Sequence, residues 1–148
     1  MLKLIIFEGI DKTGKTTLFK AYRKATKWQP LCWDRGPGSN IVYNRVYDRE
    51  DKSKQLYKAE QFLEDNFIVY LVYCYTRVDL TERRIEKAGE PLLVRQTYES
   101  AKYIYEYNYL EKTPFTRIIR LDTGKNTVEE CLGALLAFTG FTFTGEEK

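Results

Sequence analysis

"GIDKTGKT", the stretch from Gly9 to Thr16, decides which fold this sequence can adopt. It has the pattern G-x-x-x-x-G-K-[ST], which requires a strand before it and a helix after it. The isoleucine-rich run KLIIF (3–7) directly precedes it and predicts a strand buried on both faces. The segment TTLFKAYRKA (16–25) has apolar residues at helical spacing and predicts a helix. The stretch therefore lies in the context that its pattern needs.

The residue types in this stretch are suited to holding a chain of phosphates. Glycine lets the backbone curl close to a ligand without a side chain in the way. The amides of the curled loop and of the helix amino end then face anionic oxygens. Lys15 is expected to bridge the outer phosphates, and Thr16 to bind Mg²⁺ through its hydroxyl. The predicted nucleotide-binding residues are Gly9, Asp11, Lys12, Thr13, Gly14, Lys15, Thr16 and Thr17.

Strands and helices alternate along the rest of the chain. The sequence predicts strands at 30–33, 67–73 and 117–122, and helices at 39–47, 56–66, 79–88, 92–112 and 127–139. This alternation predicts a single α/β domain over residues 1–148, with a parallel sheet and helices on both faces. Ligands of such domains gather at the carboxyl ends of the strands.

Several local signals predict where helices begin and end. The hydroxyl of Ser39 is expected to cap one helix, and DLTE (79–82) and TVEE (127–130) have capping-box spacing. Gly89 and Gly140 are expected to close the helices that these boxes begin. TGKNT (123–127) repeats part of the opening stretch but lacks its first glycine, so it predicts only a turn and a cap.

Four tyrosines give a conflicting signal near the end of the 92–112 segment. Tyr103, Tyr105, Tyr107 and Tyr109 alternate, which is the spacing of a strand. The alanine, lysine, glutamate and leucine residues around them favour a helix, and we predict a helix.

Composition excludes several classes of protein. The chain has no histidine, which excludes Ser-His-Asp hydrolysis, Cys-His proteolysis and histidine-rich metal sites. A net charge of +3 from 24 basic and 21 acidic residues does not by itself indicate nucleic-acid binding. Cys32, Cys74 and Cys131 lack metal spacing and are expected to be buried, reduced thiols of a cytoplasmic protein. The apolar run at 67–75 is too short to span a membrane, so we expect a soluble protein.

Two further segments favour a small-molecule kinase. The chain lacks the N-K-x-D string of GTPase switches and the acidic pair of AAA-type motors. In DRGPGSNIVY (34–43), Asp34 is expected at the end of a strand, where it could accept a proton or hold Mg²⁺ through water. Arg35 beside it could grip an acceptor phosphate. A basic segment at 77–96 surrounds a Gly-Pro break and predicts a lid, at about 83–97, whose candidate catalytic residues are Arg83, Arg84 and Arg95.

Together these segments resemble the thymidylate kinase family. FEGIDKTGKTT (7–17) is similar to the family's phosphate loop, and DRGPGSNIVYN (34–44) matches its Asp-Arg, Ser and Tyr spacing. VYLVYCYTRVDLTERRIEK (69–87) resembles the strand and helix that lead into the lid. IIRLDTGKNTVEE (118–130) resembles the last strand and the loop near adenine. The likeness covers most of the chain, thinly between these motifs.

The resemblance implies a role for each matching residue. Lys15, Thr16 and the loop amides would hold ATP and Mg²⁺. Lys12 stands where some members have a catalytic arginine, and members that lack it use lid arginines. The implied acceptor-binding residues are Asp11, Asp34, Arg35, Ser39, Asn40 and Tyr43. The family also implies a homodimer as a partner.

The sequence departs from the family in three places. Gly36 replaces an aromatic residue, and Asn44 replaces a common glutamine. A single helix fills the interval between Lys15 and Asp34, where the family has a further strand and helices that form much of the thymine pocket. We therefore expect a short three-layer P-loop kinase fold with four strands in the order 2-1-3-4, and a shallow, open acceptor pocket.

Three functions remain open from the sequence. The first is phosphoryl transfer from ATP to a nucleoside monophosphate, preferably dTMP or a related pyrimidine deoxynucleotide. The second is a kinase whose acceptor is a nucleoside, or a modified base within DNA that the tyrosines at 103–109 would stack against. The third is a nucleotide-binding module without catalysis.

Overall fold

A computed structural model describes residues 1–10, 13–91 and 95–141 of the chain. The strands are β1 Lys3–Glu8, β2 Leu31–Asp34, β3 Ile68–Tyr75 and β4 Ile118–Asp122. The helices are α1 Lys15–Ala25, α2 Pro37–Val46, α3 Ser53–Asn66, α4 Val78–Lys87, α5 Arg95–Ile104, α6 Leu110–Lys112 and α7 Val128–Thr139. A π-helical turn, Tyr105–Tyr109, joins α5 to α6.

The strands form one parallel sheet in the order β2-β1-β3-β4, as the sequence predicted. The central strand β1 is flanked on both sides, so Ile6 lies opposite Trp33 of β2 and Leu71 of β3. Leu4 through Phe7 are completely buried, which explains why this strand is an unbroken apolar run rather than an alternating one.

Helices cover both faces of the sheet and form two separate cores. On one face, Leu4 and Ile6 pack against side chains of α2, α3 and α5. On the other face, Ile5 and Phe7 pack against α1 and α7, with Leu18 and Leu135 as their main apolar partners. The predicted three-layer α/β architecture is confirmed, and the carboxyl ends of all four strands lie at one edge of the sheet.

Two of the predicted helix caps are wrong, and one is confirmed. The helix α2 begins at Pro37, because proline favours the first turn, and Ser39 therefore lies inside the helix. No side chain caps α4, which begins at Val78 instead of after Asp79. Thr127 caps α7 with both capping-box hydrogen bonds, at 3.1 and 2.9 Å.

The closing glycines behave as predicted. Gly89 follows the last residues of α4 with a φ of +74°, and Gly140 ends α7 with a φ of +79°. Both conformations are left-handed, which glycine adopts without steric cost.

The helical prediction for the four tyrosines is confirmed, since Tyr103 lies in α5 and the other three lie in the π-helical turn. Tyr105 and Tyr109 lie four residues apart on the inner side and are completely buried. Tyr103 and Tyr107 lie four residues apart on the outer side and are each 63% exposed. The alternation is therefore two helical pairs offset by two residues, and not a strand pattern.

All three cysteines lie within the described residues and are free thiols. Cys74 and Cys131 are buried as predicted, whereas Cys32 is only half-buried because β2 lies at the edge of the sheet. None of the described helices combines the length and apolar character needed to cross a bilayer.

A buried carboxylate under α3 predicts how stability depends on pH. Glu60 is completely buried and accepts hydrogen bonds from the hydroxyls of Tyr109 and Thr113. Burial raises its pKa from 4.5 to about 7, although these hydrogen bonds lower it. The folded protein therefore binds this proton more tightly than the unfolded chain does. The resulting stabilisation is complete below pH 4.5 and is lost as the pH rises through about 7.

We expect Glu60→Gln to remove this contribution, because an amide can bond to both hydroxyls without a charge. The free energy of unfolding of the variant, relative to wild type, should rise by about 3 kcal/mol between pH 4.5 and pH 8. Urea unfolding of both proteins across this pH range measures this difference in the free energy of unfolding. A difference between the two proteins that stays constant with pH would contradict the prediction.

Candidate active site

The loop between β1 and α1 has the backbone that a phosphate cradle needs. Gly9 has a φ of +143°, and a Cβ there would lie 2.3 Å from the carbonyl oxygen of Cys74. Gly14, at the amino end of α1, has a φ of +78° and packs against Thr123. Thr13 steadies the loop by donating its hydroxyl to the carbonyl of Ile10 at 2.8 Å. Of the predicted nucleotide-binding residues, Asp11 and Lys12 lie outside the described residues.

Gly9→Ala is expected to disrupt this cradle, because alanine would need an unfavourable φ and would overlap a carbonyl of β3. We expect the free energy of unfolding to fall by about 3 kcal/mol and nucleotide affinity to fall at least about tenfold. Gly133→Ala in α7 is the matched control, because a Cβ there meets nothing within 4 Å. That control should raise stability by about 1 kcal/mol. Equal behaviour of the two variants in thermal unfolding and nucleotide titration would contradict the prediction.

Thr123, the first residue after β4, holds the loop in place. The Thr123 hydroxyl donates to the carbonyl oxygen of Thr13 at 2.5 Å, and the Thr123 amide donates to that of Tyr75 at 3.0 Å. The turn after β4 is therefore bound both to the loop and to β3. Sequence analysis predicted a turn and a helix cap here but not this contact, since nothing in TGKNT indicates a partner so far along the chain.

The lysine of the loop contacts the predicted acidic residue. Lys15 is buried, and its Nζ is paired with Oδ1 of Asp34, whose side chain is about one-third exposed. The pairing follows from the sheet, because Phe7 at the end of β1 lies opposite Asp34 at the end of β2. The neighbouring ends of β1 and β2 thus bring Lys15, at the start of α1, next to Asp34.

Residues 34–39, which we call the DR turn, continue from this ion pair. Arg35 is held in a left-handed conformation with a φ of +79°, which is rare for a side chain of this size. Its amide donates to the carbonyl of Phe7 at 2.9 Å, and its Nη1 donates to the hydroxyl of Ser39 at 3.4 Å. Such strain persists where surrounding contacts enforce it, which is common at functional sites.

The first residues of α2 extend the site outward. The guanidinium of Arg35 lies 5.7 Å from the ring centroid of Tyr43, and that ring stacks on Tyr47 at 6.1 Å. Asn40 is exposed on the same helix. The structure therefore brings Arg35, Ser39 and Tyr43 together.

Sequence analysis missed Glu8, the residue that fixes the DR turn in place. This carboxylate is completely buried and accepts hydrogen bonds from the amides of Gly36 and Ser39 at 2.8 and 3.2 Å. It also accepts from the hydroxyls of Ser39 and Tyr105 at 2.5 and 3.0 Å. Burial raises the pKa of Glu8, while these bonds lower it. The available signal was a lone acid at the end of an apolar strand.

The three predicted lid arginines have different partners. Arg83 is paired with Asp79 at 3.0 Å, and Arg95 is paired with Glu82 at 2.5 Å. Arg84 instead donates to the carbonyl oxygen of Thr123 at 3.3 Å, next to the phosphate loop. Residues 92–94 of the predicted lid lie outside the described residues.

A small cavity of about 100 Å³ opens beside the loop, between the amino ends of α1 and α7. Apolar groups form much of its wall, which suits a flat ring held next to a phosphate chain. Its lining residues are Gly14, Thr17, Leu18, Thr123, Asn126, Val128 and Cys131.

The side-chain oxygens at this site fit Mg²⁺ rather than a softer metal. Thr16 is exposed at the start of α1, and Asp34 lies beside Lys15. A hydroxyl and a carboxylate are hard ligands, and Mg²⁺ in nucleotide sites takes one or two such groups plus phosphate oxygens and water. Within residues 1–10, 13–91 and 95–141, no three acidic or cysteine side chains form a closed metal cage.

Comparison with known proteins establishes the fold. No protein-family model and no curated protein matches the sequence. The chain is similar in structure to the YorR protein from Bacillus subtilis in complex with phosphorylated GDP, with a TM-score of 0.75 and 18% identity over 93% of this chain and 95% of that chain. It is also similar to deoxyadenosine kinase from M. mycoides with bound dCTP, with a TM-score of 0.61 and 16% identity over 92% of this chain and 100% of that chain. The chain therefore has the three-layer P-loop kinase fold.

Proposed function

We propose that this protein transfers a phosphoryl group from ATP, with Mg²⁺, to a nucleoside monophosphate, most favourably dTMP or a related pyrimidine deoxynucleotide. The observation that carries the proposal is the contact between Lys15 and Asp34. It joins the phosphate loop to the DR turn, which holds the groups suited to an acceptor. A nucleotide-binding module would need only the first of these two parts.

In this proposal Lys15 exchanges its bond with Asp34 for one with the outer phosphates of ATP. The exchange costs little, because one anionic partner replaces another. It releases Asp34 to hold Mg²⁺ through water, or to accept a proton from the acceptor. Thr16 and Asp34 would hold Mg²⁺, which would supply positive charge to neutralise the phosphates when bound. The cavity beside Gly14 receives the donor base.

The acceptor side is formed by the DR turn and α2. Arg35 suits an acceptor phosphate, because a guanidinium binds its oxygens in pairs. Tyr43 and Asn40 are placed for contact with the sugar and base, and Asp11 is proposed to approach the sugar. Lys12 or one lid arginine stabilises the phosphoryl group in flight, and Arg84 is the best placed of Arg83, Arg84 and Arg95 because it already reaches Thr123. The preference for dTMP rests on the resemblance of these motifs to thymidylate kinases.

A nucleoside acceptor is the second candidate. The structural likeness to a deoxyadenosine kinase supports it, and so does the single helix between Lys15 and Asp34, which leaves out a wall of the acceptor pocket. The same DR turn would then place Asp34 as the base for a sugar hydroxyl. A DNA acceptor has less support, because the surface around the exposed Tyr103 and Tyr107 carries acidic and basic side chains together and is not a continuous positive groove. These charged side chains are Asp79, Arg95, Glu99, Lys102 and Glu106.

One assay distinguishes these functions. The protein is incubated with labelled ATP and Mg²⁺ and offered dTMP, other monophosphates, deoxynucleosides or single-stranded oligonucleotides. We expect label on dTMP above the other acceptors. Label on deoxynucleosides alone would replace the proposal with the second candidate. ATP binding without labelled product would indicate a non-catalytic module, and the elution volume of the protein on gel filtration tests the proposed homodimer.

A further inference from the structure

Glu8 lies where three parts of the molecule meet. It ends β1 directly before the phosphate loop, and it bonds to the DR turn and to the helical segment that follows the predicted lid. One oxygen, Oε2, accepts two backbone amides of the DR turn. The other, Oε1, accepts the hydroxyls of Ser39 and Tyr105. All hydrogen bonds of this buried acid therefore serve to connect segments that are separate in sequence.

A second buried acid provides an internal comparison. Glu60 accepts the hydroxyls of Tyr109 and Thr113, and it is as completely buried as Glu8. Its hydrogen bonds to Tyr109 and Thr113 lie within the helical layer and do not reach the DR turn. The two acids thus share the same chemistry and burial, but only Glu8 is bonded to residues of the candidate site.

The DR turn needs such an anchor because it is strained. Arg35 has a φ of +79°, and a left-handed arginine relaxes unless its neighbours hold it. Gly36 and Ser39, which follow it, both donate their amides to Glu8. Hydrogen bonds to a carboxylate are among the stronger ones in proteins. Loss of the anchor would let Asp34 and Arg35 move away from the phosphate loop.

We infer that Glu8 is a positioning residue for phosphoryl transfer. The hydroxyl of Tyr105, in the helical segment after the lid, holds Glu8 in place. Glu8 does not touch the reacting atoms. It fixes the distance between the phosphate loop and the acceptor-binding arginine. This inference rests on the proposed function, since it assigns Glu8 to the acceptor side of that reaction.

The test compares Tyr105→Phe with Tyr109→Phe. Each variant removes one buried hydroxyl that donates to a buried carboxylate, and each keeps its ring, so the ring carbons of Tyr109 stay against Gly38. The first reading is amide hydrogen exchange of residues 34–39, which requires no activity. The second is steady-state kinetics with the acceptor that wild type phosphorylates, together with ATP affinity by calorimetry.

In Tyr105→Phe we expect exchange of these amides to accelerate about tenfold, which corresponds to one lost hydrogen bond to a carboxylate. The value of kcat/KM for the acceptor should fall about tenfold, since small displacements of positioned groups are costly. The dissociation constant for ATP should stay within about twofold of wild type. Tyr109→Phe should match wild type in all three measurements.

Glu8→Gln provides the conservative rescue. Its amide oxygen can still accept from the two backbone amides, and its NH₂ can donate to the two hydroxyls. We expect this variant to match wild type in the amide hydrogen exchange of residues 34–39 and in acceptor turnover. Glu8→Ala should lose more acceptor turnover than Tyr105→Phe does. If Glu8→Gln keeps the amide exchange of wild type but loses turnover, the reaction requires the charge of Glu8 and the positioning role is wrong.

Equal exchange of residues 34–39 in the two tyrosine variants would overturn the inference, whatever their activity. Failure of the proposed function gives a different result. In that case wild type would label no acceptor, while the difference in exchange between Tyr105→Phe and Tyr109→Phe would still be present.

Discussion

Replacing Lys15 with alanine should reduce phosphoryl transfer at least about a thousandfold while the protein stays folded. Lys15 is the buried cation of the phosphate loop, and its ammonium group is paired with Asp34. Its partner Asp34 is about one-third exposed and can be hydrated once the ammonium is gone, so little stability is lost. Turnover with labelled ATP and thermal unfolding measure the two parts of this prediction.

Lys20→Ala is the matched control, because Lys20 is an exposed lysine of the same helix. It should leave turnover within about twofold of wild type, as expected for an exposed charge. Substantial turnover by Lys15→Ala would contradict the assignment of the loop. A large fall in its melting temperature would show that the ion pair with Asp34 is structural.

Replacing Asp34 with asparagine should lower kcat about a hundredfold or more, because asparagine keeps the shape but neither binds metal-bound water as an anion nor accepts a proton. The variant also separates the two candidate acceptors. The attacking oxygen of a monophosphate is already ionised above its second pKa of about 6. The loss would then reflect metal binding alone, and a higher Mg²⁺ concentration should restore part of the rate.

A nucleoside hydroxyl, in contrast, gives up its proton during transfer. Its phosphorylation by Asp34→Asn should stay low at every Mg²⁺ concentration, since the missing base is not replaced by metal. Titration of kcat with Mg²⁺ at pH 8, for dTMP and for thymidine, distinguishes the two results. An Asp34→Asn enzyme as fast as wild type with both acceptors would remove Asp34 from the reaction.

Much of the fold could be predicted because its signals are local. The strand β1, the loop and α1 follow one another without interruption, so the spacing of glycine, lysine and threonine was sufficient. The order β2-β1-β3-β4 followed from the resemblance together with the short interval between the loop and Asp34. The cap at Thr127 was predicted because its one partner, Glu130, lies within one helical turn.

Incorrect predictions of helix caps arose where the expected capping residue has another partner in the fold. Ser39 looked like a helix cap, but its hydroxyl donates to Glu8, 31 positions earlier. Asp79 looked like the start of a capping box, but it pairs with Arg83 inside α4. The roles of Arg83, Arg84 and Arg95 could not be separated, since their charges are equivalent in sequence and only their neighbours differ.

The sequence by itself determined that a glycine-containing loop follows a buried strand and leads into a helix, because the strand, the loop and the helix are contiguous in the chain. Only the tertiary structure decided what holds that loop and the DR turn in register. Thr123 reaches Thr13 across 110 positions, and Tyr105 reaches Glu8 across 97. A hydrogen bond depends on distance in space, and the parallel sheet makes neighbours of residues that no sequence spacing relates.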